Sequence, residues 1–352
     1  MATPPVSAVS RSVPPSCYIE FSDEWEATLM ALDDKATQLA QQFTSPILRL
    51  FHAILLVVTS IELGVIASYA LLYLGLNNIA TLVIAMTSTL VVVSQLSKRF
   101  VWRDRPHMVG RAKRIGAVDS TSSFPSRAVT SGIVYLYTLA GCFELAWSEG
   151  KDNLAKFDVF WTLPFLSLTV LETINTSFFR IHVGAHYISD CLGGILQGIC
   201  VCYVGQSVYY IFANECCMAA LLTSKEIAER ALLLVDISWM PIACWTIAGA
   251  LFMTVVSLPQ FQFWSKSHYV LGLLYPCLMT VFTFLCCDTH NFPLVSHLAV
   301  LPGSVCIAII IPTVLILIGR YLLPHSSLIK SVASFLFLHS VSAGLLIFHR
   351  AA

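Results

Sequence analysis

The sequence predicts an all-α fold, a polytopic transmembrane helical bundle with about nine spans. Three observations carry this. Hydrophobic residues make up 57% of the 352 residues and charged residues only 11%, with a mean hydropathy of +0.77, whereas soluble domains carry about 25% charged residues. Apolar runs of roughly 20 residues, long enough to cross a bilayer, recur along the chain. Charged residues are few within these runs and collect between them, most densely over 98–127.

Net charge is zero, which gives no support for a nucleic-acid partner. The 12 cysteines lie mostly inside apolar runs, as Cys200, Cys202, Cys244 and Cys277 do. They read as small buried hydrophobes rather than a disulfide framework. No Cys-x-x-Cys pair has zinc spacing. Cys216-Cys217 and Cys286-Cys287 sit near expected helix ends and are candidates for palmitoylation.

In chain order, Met1 to Cys17 is rich in Ser, Pro and Val and lacks the apolar core of a signal peptide. Residues 1–22 are therefore expected to form a disordered, uncleaved tail. From Asp23 to Gln42, Trp25, Leu29, Leu32, Ala36 and Leu39 recur at helical spacing among Glu24, Glu26, Asp33, Asp34 and Lys35. That pattern predicts an amphipathic helix, lying along the membrane or facing the cytosol. Spans are expected near 50–74, 78–97, 128–147, 158–178, 187–212, 233–257, 267–287, 297–322 and 331–349. Pro302, Gly303, Pro312 and Pro324 interrupt the last two. Glu62 and Glu172 fall inside spans, where a carboxylate marks either function or a helix-packing hydrogen bond. Asp236 reads as a helix-end residue. No internal repeat is evident, and the polar segment 213–232 divides residues 23–212 from additional C-terminal helices over 213–352.

The connection from Lys98 to Arg127 holds Lys98, Arg99, Arg103, Arg105, Arg111, Lys113, Arg114 and Arg127. Positive charge between spans is commonly a topology signal, but here its order matters. Lys98 precedes Arg105-Pro106 by six intervening residues, and Phe124-Pro125-Ser126-Arg127 opens the next helix. Ser126 and the first backbone N–H groups of that helix suit an anion held at its N-terminus. Further on, Arg180 precedes His186 by six positions and Asp190 follows by four. That i,i+4 spacing lets Asp190 hold one imidazole nitrogen of His186 and leave the other nucleophilic. Lys98, Arg105 and Arg180 supply cations enough to neutralise a phosphoryl group. Counting crossings, all three stretches emerge on one membrane side.

Lys98-x6-Arg105-Pro106, Pro125-Ser126 and Arg180-x5-His186-x3-Asp190 together resemble the three-part signature of the type 2 phosphatidic acid phosphatase and haloperoxidase superfamily. The signature covers 98–190. Within it, Arg180-Ile181, Gly184, His186, Ile188 and Asp190, and Pro125-Ser126 followed by Ser131-Gly132, are most similar to the sphingosine-1-phosphate phosphatases. The resemblance implies a six-helix catalytic core within 23–212 and an integral-membrane lipid phosphatase needing no cofactor or metal. His186 would form a phosphohistidine and Asp190 orient it, while Lys98, Arg105, Arg180, Ser126 and the backbone N–H of Arg127 bind the phosphoryl oxygens. A lipid phosphate, most like sphingosine or dihydrosphingosine 1-phosphate, and the bilayer are the implied partners, with a homodimer left open. Broader phosphatidate or polyprenyl-diphosphate hydrolysis is the alternative. The subgroup sits in the endoplasmic reticulum with a lumenal site, whereas the Lys and Arg count favours the cytosol; both sides stay open.

Two positions depart from the pattern. Phe179 replaces the usual Ser of the third stretch, and Ala128 stands where the family has the His that protonates the leaving alkoxide. Losing that proton transfer should lower the rate roughly 10²–10⁴-fold. We read Ala128 as an engineered inactivating substitution that holds substrate in place, with a natural pseudoenzyme that binds phospholipid head groups or serves as a membrane scaffold as the alternative. His107 and His182 are the neighbouring histidines that could replace the acid, and a plain loop role accounts for either. Arg127, where the family often has Gly, could touch phosphate or simply face water.

Overall fold

The computed structural model describes residues 19–20, 23–43, 45–58, 60–74, 76–116, 121–147, 159–222, 247, 270, 272–278, 302–323 and 328–351. The described chain is mostly helical. It divides into one unit of Met1–Ser60, Thr89–Glu144 and Lys151–Tyr203 and a second of Ile61–Ser88, Leu145–Gly150 and Val204–Ala352.

The first unit begins with a two-residue strand, β1 (Ile19–Glu20), which pairs in parallel with β2 (Val101–Trp102). Helix α1 (Asp23–Gln41) follows. Its buried seam is Asp33, Thr37 and Ala40, while Trp25, Leu32 and Leu39 of the expected apolar stripe are exposed. The stripe thus flanks the packed face rather than forming it. Helix α2 (Pro46–Val58) ends where Ser60 N–H returns to the Val57 carbonyl in a tight turn, and α3 (Ile61–Tyr73) starts afresh. The single span expected over 50–74 is therefore two 13-residue helices, each about 20 Å long. Hydropathy counts apolar side chains and does not register where the backbone ladder breaks.

Helix α4 (Asn77–Phe100) carries Lys98 in its last turn. Helices α5 (Arg127–Trp147), α6 (Val159–His182) and α7 (Ile188–Leu222) follow the expected spans. Helix α6 runs four residues further than expected, to include Arg180. Helix α7 continues through the first ten residues of the expected polar break, and 223–232 lie outside the described residues. Arg127–Ala146 and Ile188–Tyr210 are long and apolar enough to cross a membrane. The expected spans 233–257 and 267–287 fall almost wholly outside the described residues, apart from helical residues at 247, 270 and 272–278.

Helices α5 and α7 meet through small residues. A Cβ on Gly194 would lie 2.6 Å from the Ser126 carbonyl oxygen, and one on Gly198 would press on Ile133. Gly194 and Gly198 stand four apart, which lets the backbones approach closely. The Thr130 hydroxyl spends its proton across the same seam, 3.0 Å from both the Gly194 carbonyl and Gln197 Oε1. Gln197 Nε2 then donates to Ser97 Oγ on α4 at 2.6 Å.

In the second unit, α3 packs on α8 (Pro302–Leu317), which ends in a π-helical turn, Ile318–Leu322. Tyr69 donates to the Leu273 carbonyl at 3.0 Å. Tyr275, Phe335 and His339 form a ring cluster with α9 (Leu328–Ala351). Glu62 begins α3 in this unit.

Gly194→Ala should lower stability by about 1–3 kcal/mol, because a backbone carbonyl cannot swing aside as a side chain can. Thermal unfolding in detergent measures this, and an unchanged midpoint would refute the close helix contact.

Candidate active site

All of the site lies in the first unit. Its scaffold is the pairing of 101–105 with 121–124. Ser123 N–H donates to the Arg103 carbonyl at 2.8 Å, and Ser122 Oγ donates to the Val101 carbonyl at 2.9 Å. Lys98 Nζ reaches the Ser122 carbonyl at 2.9 Å. Arg105, 2% exposed, is locked by Nε to the Thr121 carbonyl at 2.8 Å and by Nη2 to Thr121 Oγ1 at 3.1 Å. Its Nη1 donates to the Ala185 carbonyl at 3.0 Å and lies 3.4 Å from His186 Nε2. A guanidinium only donates, so Nε2 presents its lone pair toward Arg105 and the proton sits on Nδ1.

His186 is delivered by the turn that ends α6. Gly184 has φ +71°, and this left-handed residue folds the chain so that the Ala185 and His186 N–H groups reach back to the Arg180 carbonyl. A Cβ at 184 would lie 2.8 Å from the Lys113 carbonyl oxygen, which leaves glycine as the fitting residue. Helix α7 then starts with Asp190 in its first turn, accepting the Tyr187 N–H at 2.8 Å as a capping carboxylate.

Asp190 is fully buried, and its oxygens are claimed by other groups. Arg103 Nη1 lies 2.8 Å from Oδ1, and Ser123 Oγ donates to Oδ2 at 2.7 Å. His186 Nδ1 stands 3.8 Å from Oδ2. In place of the expected direct hydrogen bond there is a gap, because Ser123 and Tyr187 already occupy that oxygen. The Ser123 carbonyl is a further acceptor beside the imidazole.

Ser126 immediately precedes α5, and its N–H donates to the Asp190 carbonyl at 2.9 Å. Its hydroxyl is buried and does not cap the helix; the Cys191 thiol is its polar neighbour. The hydroxyl and the first N–H groups of α5 are groups that could receive an anion at this helix start. Burial, and then the Arg105, Arg180 and Lys98 charges, hold the His186 imidazole well below its ordinary value. Burial and then Arg105, Arg127 and Arg180 push Lys98 down likewise, with Asp190 opposing. Lys98, Arg105, Arg127, Arg180 and His186 therefore share one electrostatic neighbourhood, which favours an anion.

Ala128 is half-buried on the first turn of α5 and offers only a methyl group. The two neighbouring histidines are committed elsewhere. His107 Nδ1 pairs with the Gly184 carbonyl at 2.9 Å. His182 Nδ1 pairs with the Ala40 carbonyl at 2.9 Å and stacks against Phe178 and Phe179. Phe179, the departure from Ser, also stacks on His52 with centroids 3.6 Å apart. Glu172 sits eight residues before Arg180, about 12 Å along α6. It accepts from Thr176 at 2.6 Å and packs over Gly132 of α5.

Arg103 and Asp33 escaped the sequence reading. Arg103 Nη2 binds Asp33 Oδ2 of α1 at 2.8 Å, completing a buried carboxylate–guanidinium–carboxylate chain. Arg103 was visible as one more cation between Lys98 and Arg105. Asp33 gave no local signal, being one acidic residue among several on α1.

Because the imidazole stays neutral well below pH 6.5, loss of its nucleophilicity on acidification should begin only beneath that pH. The sign follows from the depressed value: protonation, which abolishes the lone pair, requires more acid than for free histidine. A nitrogen-15 NMR titration of the His186 imidazole with a midpoint at 6.5 or above would contradict this environment.

Residues 78–214 match the family model described as the PAP2 superfamily. No curated protein and no solved structure matches the chain. The matched stretch contains Lys98, Arg105, Ser126, Arg127, Arg180, His186 and Asp190, so the part of the chain that builds the buried cationic site is the part similar to the PAP2 superfamily.

Proposed function

We propose that this chain is an integral-membrane lipid phosphate phosphohydrolase working through a phosphohistidine at His186. The observation that carries the reading is the 3.4 Å approach of buried His186 Nε2 to buried Arg105 Nη1, with half-buried Lys98 and Arg180 in the same electrostatic neighbourhood. Nε2 attacks phosphorus, the ester P–O bond breaks, and its electron pair leaves on the alcohol oxygen. Lys98, Arg105 and Arg180, with Ser126 and the N-terminus of α5, neutralise the phosphoryl oxygens. Water then attacks the phosphohistidine, releasing inorganic phosphate and restoring the imidazole.

The leaving alkoxide needs a proton, and Ala128 has none to give. The chain as written is therefore slow on alkyl phosphates and holds them. The same alanine favours a second reading, in which the protein binds a lipid phosphate without hydrolysing it. A sphingoid-base phosphate is the favoured substrate, on the likeness of the third stretch alone; phosphatidate or a polyprenyl diphosphate is the broader alternative. The exposed apolar flank of α1, with Trp25, Leu32 and Leu39, suits a helix lying at the lipid interface. An endoplasmic-reticulum location rests on the same likeness.

A phosphate ester with an acidic leaving group separates the readings, since nitrophenolate departs without a proton donor. With para-nitrophenyl phosphate, the chain should release about one equivalent of nitrophenolate in a burst and retain acid-labile phosphate. Ala128→His should convert the burst to turnover and raise the rate on a panel of lipid phosphates by roughly 10²–10⁴-fold. His186→Ala should abolish both. Labelled phosphate retained on His186→Ala would overturn the nucleophile, and no hydrolysis by Ala128→His would leave the binding protein. Protease accessibility of residues 1–17 in sealed microsomes should assign the site to the side that carries the tail, as crossing parity requires; a site reached only from the opposite face would refute that parity.

A further inference from the structure

Helix α1 lies outside the stretch that matches the PAP2 model, yet it places a charge inside the site. Asp33 and Asp190 are both completely buried and bind opposite ends of one guanidinium, that of Arg103. Ser189 locks the junction: it receives Arg103 Nη1 at 2.7 Å, and its hydroxyl and backbone N–H both donate to Asp33. The Arg103 guanidinium carbon also rides 4.2 Å over the Tyr187 ring. Tyr187 is the residue that follows His186.

A buried ion triplet is a poor source of stability compared with apolar packing of the same volume. What it supplies is a fixed division of charge. Arg103 is shared between two carboxylates, so Asp190 is only half neutralised by it. The remaining negative charge faces His186 Nδ1 across the 3.8 Å gap. Without Asp33, Arg103 would turn wholly onto Asp190 and quench that charge. We infer that Asp33 and Arg103 are positioning residues for His186: α1, through Asp33, takes a share of the Arg103 charge, so that Asp190, although hydrogen-bonded elsewhere, keeps a net negative charge that acts on the imidazole across the 3.8 Å gap. Among the described residues, the groups that face His186 are Lys98 of α4, Arg105 of the following loop, Arg180 of α6 and Asp190 of α7. Of these Asp190 is the one anion, and Arg103 is the cation that controls it.

The relay predicts opposite signs for its two members and coupling between them: Asp33→Asn should move the midpoint with Arg103 present and move it no further in Arg103→Gln, whereas two independent charges would shift it alike in both backgrounds. The His186 imidazole can be followed by NMR with nitrogen-15-labelled histidine, the signal being assigned by its loss in His186→Ala. Asp33→Asn should lower the titration midpoint of His186, and Arg103→Gln should raise it. The neutral pair Asp33→Asn with Arg103→Gln, which leaves no unpaired buried charge, should also raise it and serves if Asp33→Asn fails to fold. Lys35→Ala, on the exposed side of α1, should change nothing. A second arm, resting on the proposed phosphohistidine, is the burst with para-nitrophenyl phosphate. Asp33→Asn should slow the burst by roughly tenfold or more, with half-saturation altered less than about twofold. Asp33→Glu should recover part of the rate. Midpoints that stay put, that move in the same direction in Asp33→Asn and Arg103→Gln, or that Asp33→Asn shifts alike in both backgrounds, overturn the inference whatever the burst shows. Opposite, coupled shifts without any burst uphold the relay and refute the phosphohistidine instead.

Discussion

One buried carboxylate holds the site together. Asp190 is wholly removed from water, a state that is tolerable only when its lone pairs are met by donors. The donors come from distant parts of the chain: Arg103 after α4, Ser123 ahead of α5, and the Tyr187 N–H at the start of α7. Its backbone carbonyl takes the Ser126 N–H as well. Satisfying this single residue therefore draws three segments to one point. The packing of α5 on α7 through Gly194 keeps them there, because no side chain intervenes between the two backbones.

The same burial charges the site. Lys98, Arg105 and Arg180 repel one another where little water screens them, and each suppresses protonation of His186. An anion would relieve this repulsion, which is the physical ground for the phosphate binding proposed above. The cost is met by carbonyl groups: Ser122, Thr121 and Ala185 each turn a backbone oxygen onto a cation. Those contacts fix the direction of the guanidinium and ammonium groups before any ligand binds, so little reorganisation remains for the chemical step.

Attack and protonation are separable demands, and the structure provides for them unequally. The imidazole nitrogen to which the proposed mechanism assigns the attack is oriented and next to a cation. The described residues show no equivalent for the proton donor: Ala128 is a methyl group, and His107 and His182 each have Nδ1 tied to a backbone carbonyl. Their commitments are structural: His107 pins the Gly184 turn, and His182 fastens the end of α1. Phe179 fits this account, for its ring stacks between His52 and His182 where a serine would leave a void.

What the amino-acid order alone determined is whatever rests on local spacing. The charged and nucleophilic residues Lys98, Arg105, Ser126, Arg180 and His186 were legible because each occupies a set distance from a proline, a glycine or a helix start. Helices α5 to α7 were legible because an apolar run reports its own length. The break within 50–74 was not, since the short polar dip around Ser60 and Glu62 is averaged away over a span-length apolar run. The continuation of α7 past residue 212 was missed for the converse reason: polar side chains do not stop helical hydrogen bonding. Only the tertiary structure decided how Asp190 is used. Its partner Arg103 and the more remote Asp33, 70 residues from Arg103 in the chain, meet through folding alone. No periodicity records which of several carboxylates on α1 turns inward. That choice depends on the buried seam of α1, where desolvation makes an ion pair obligatory.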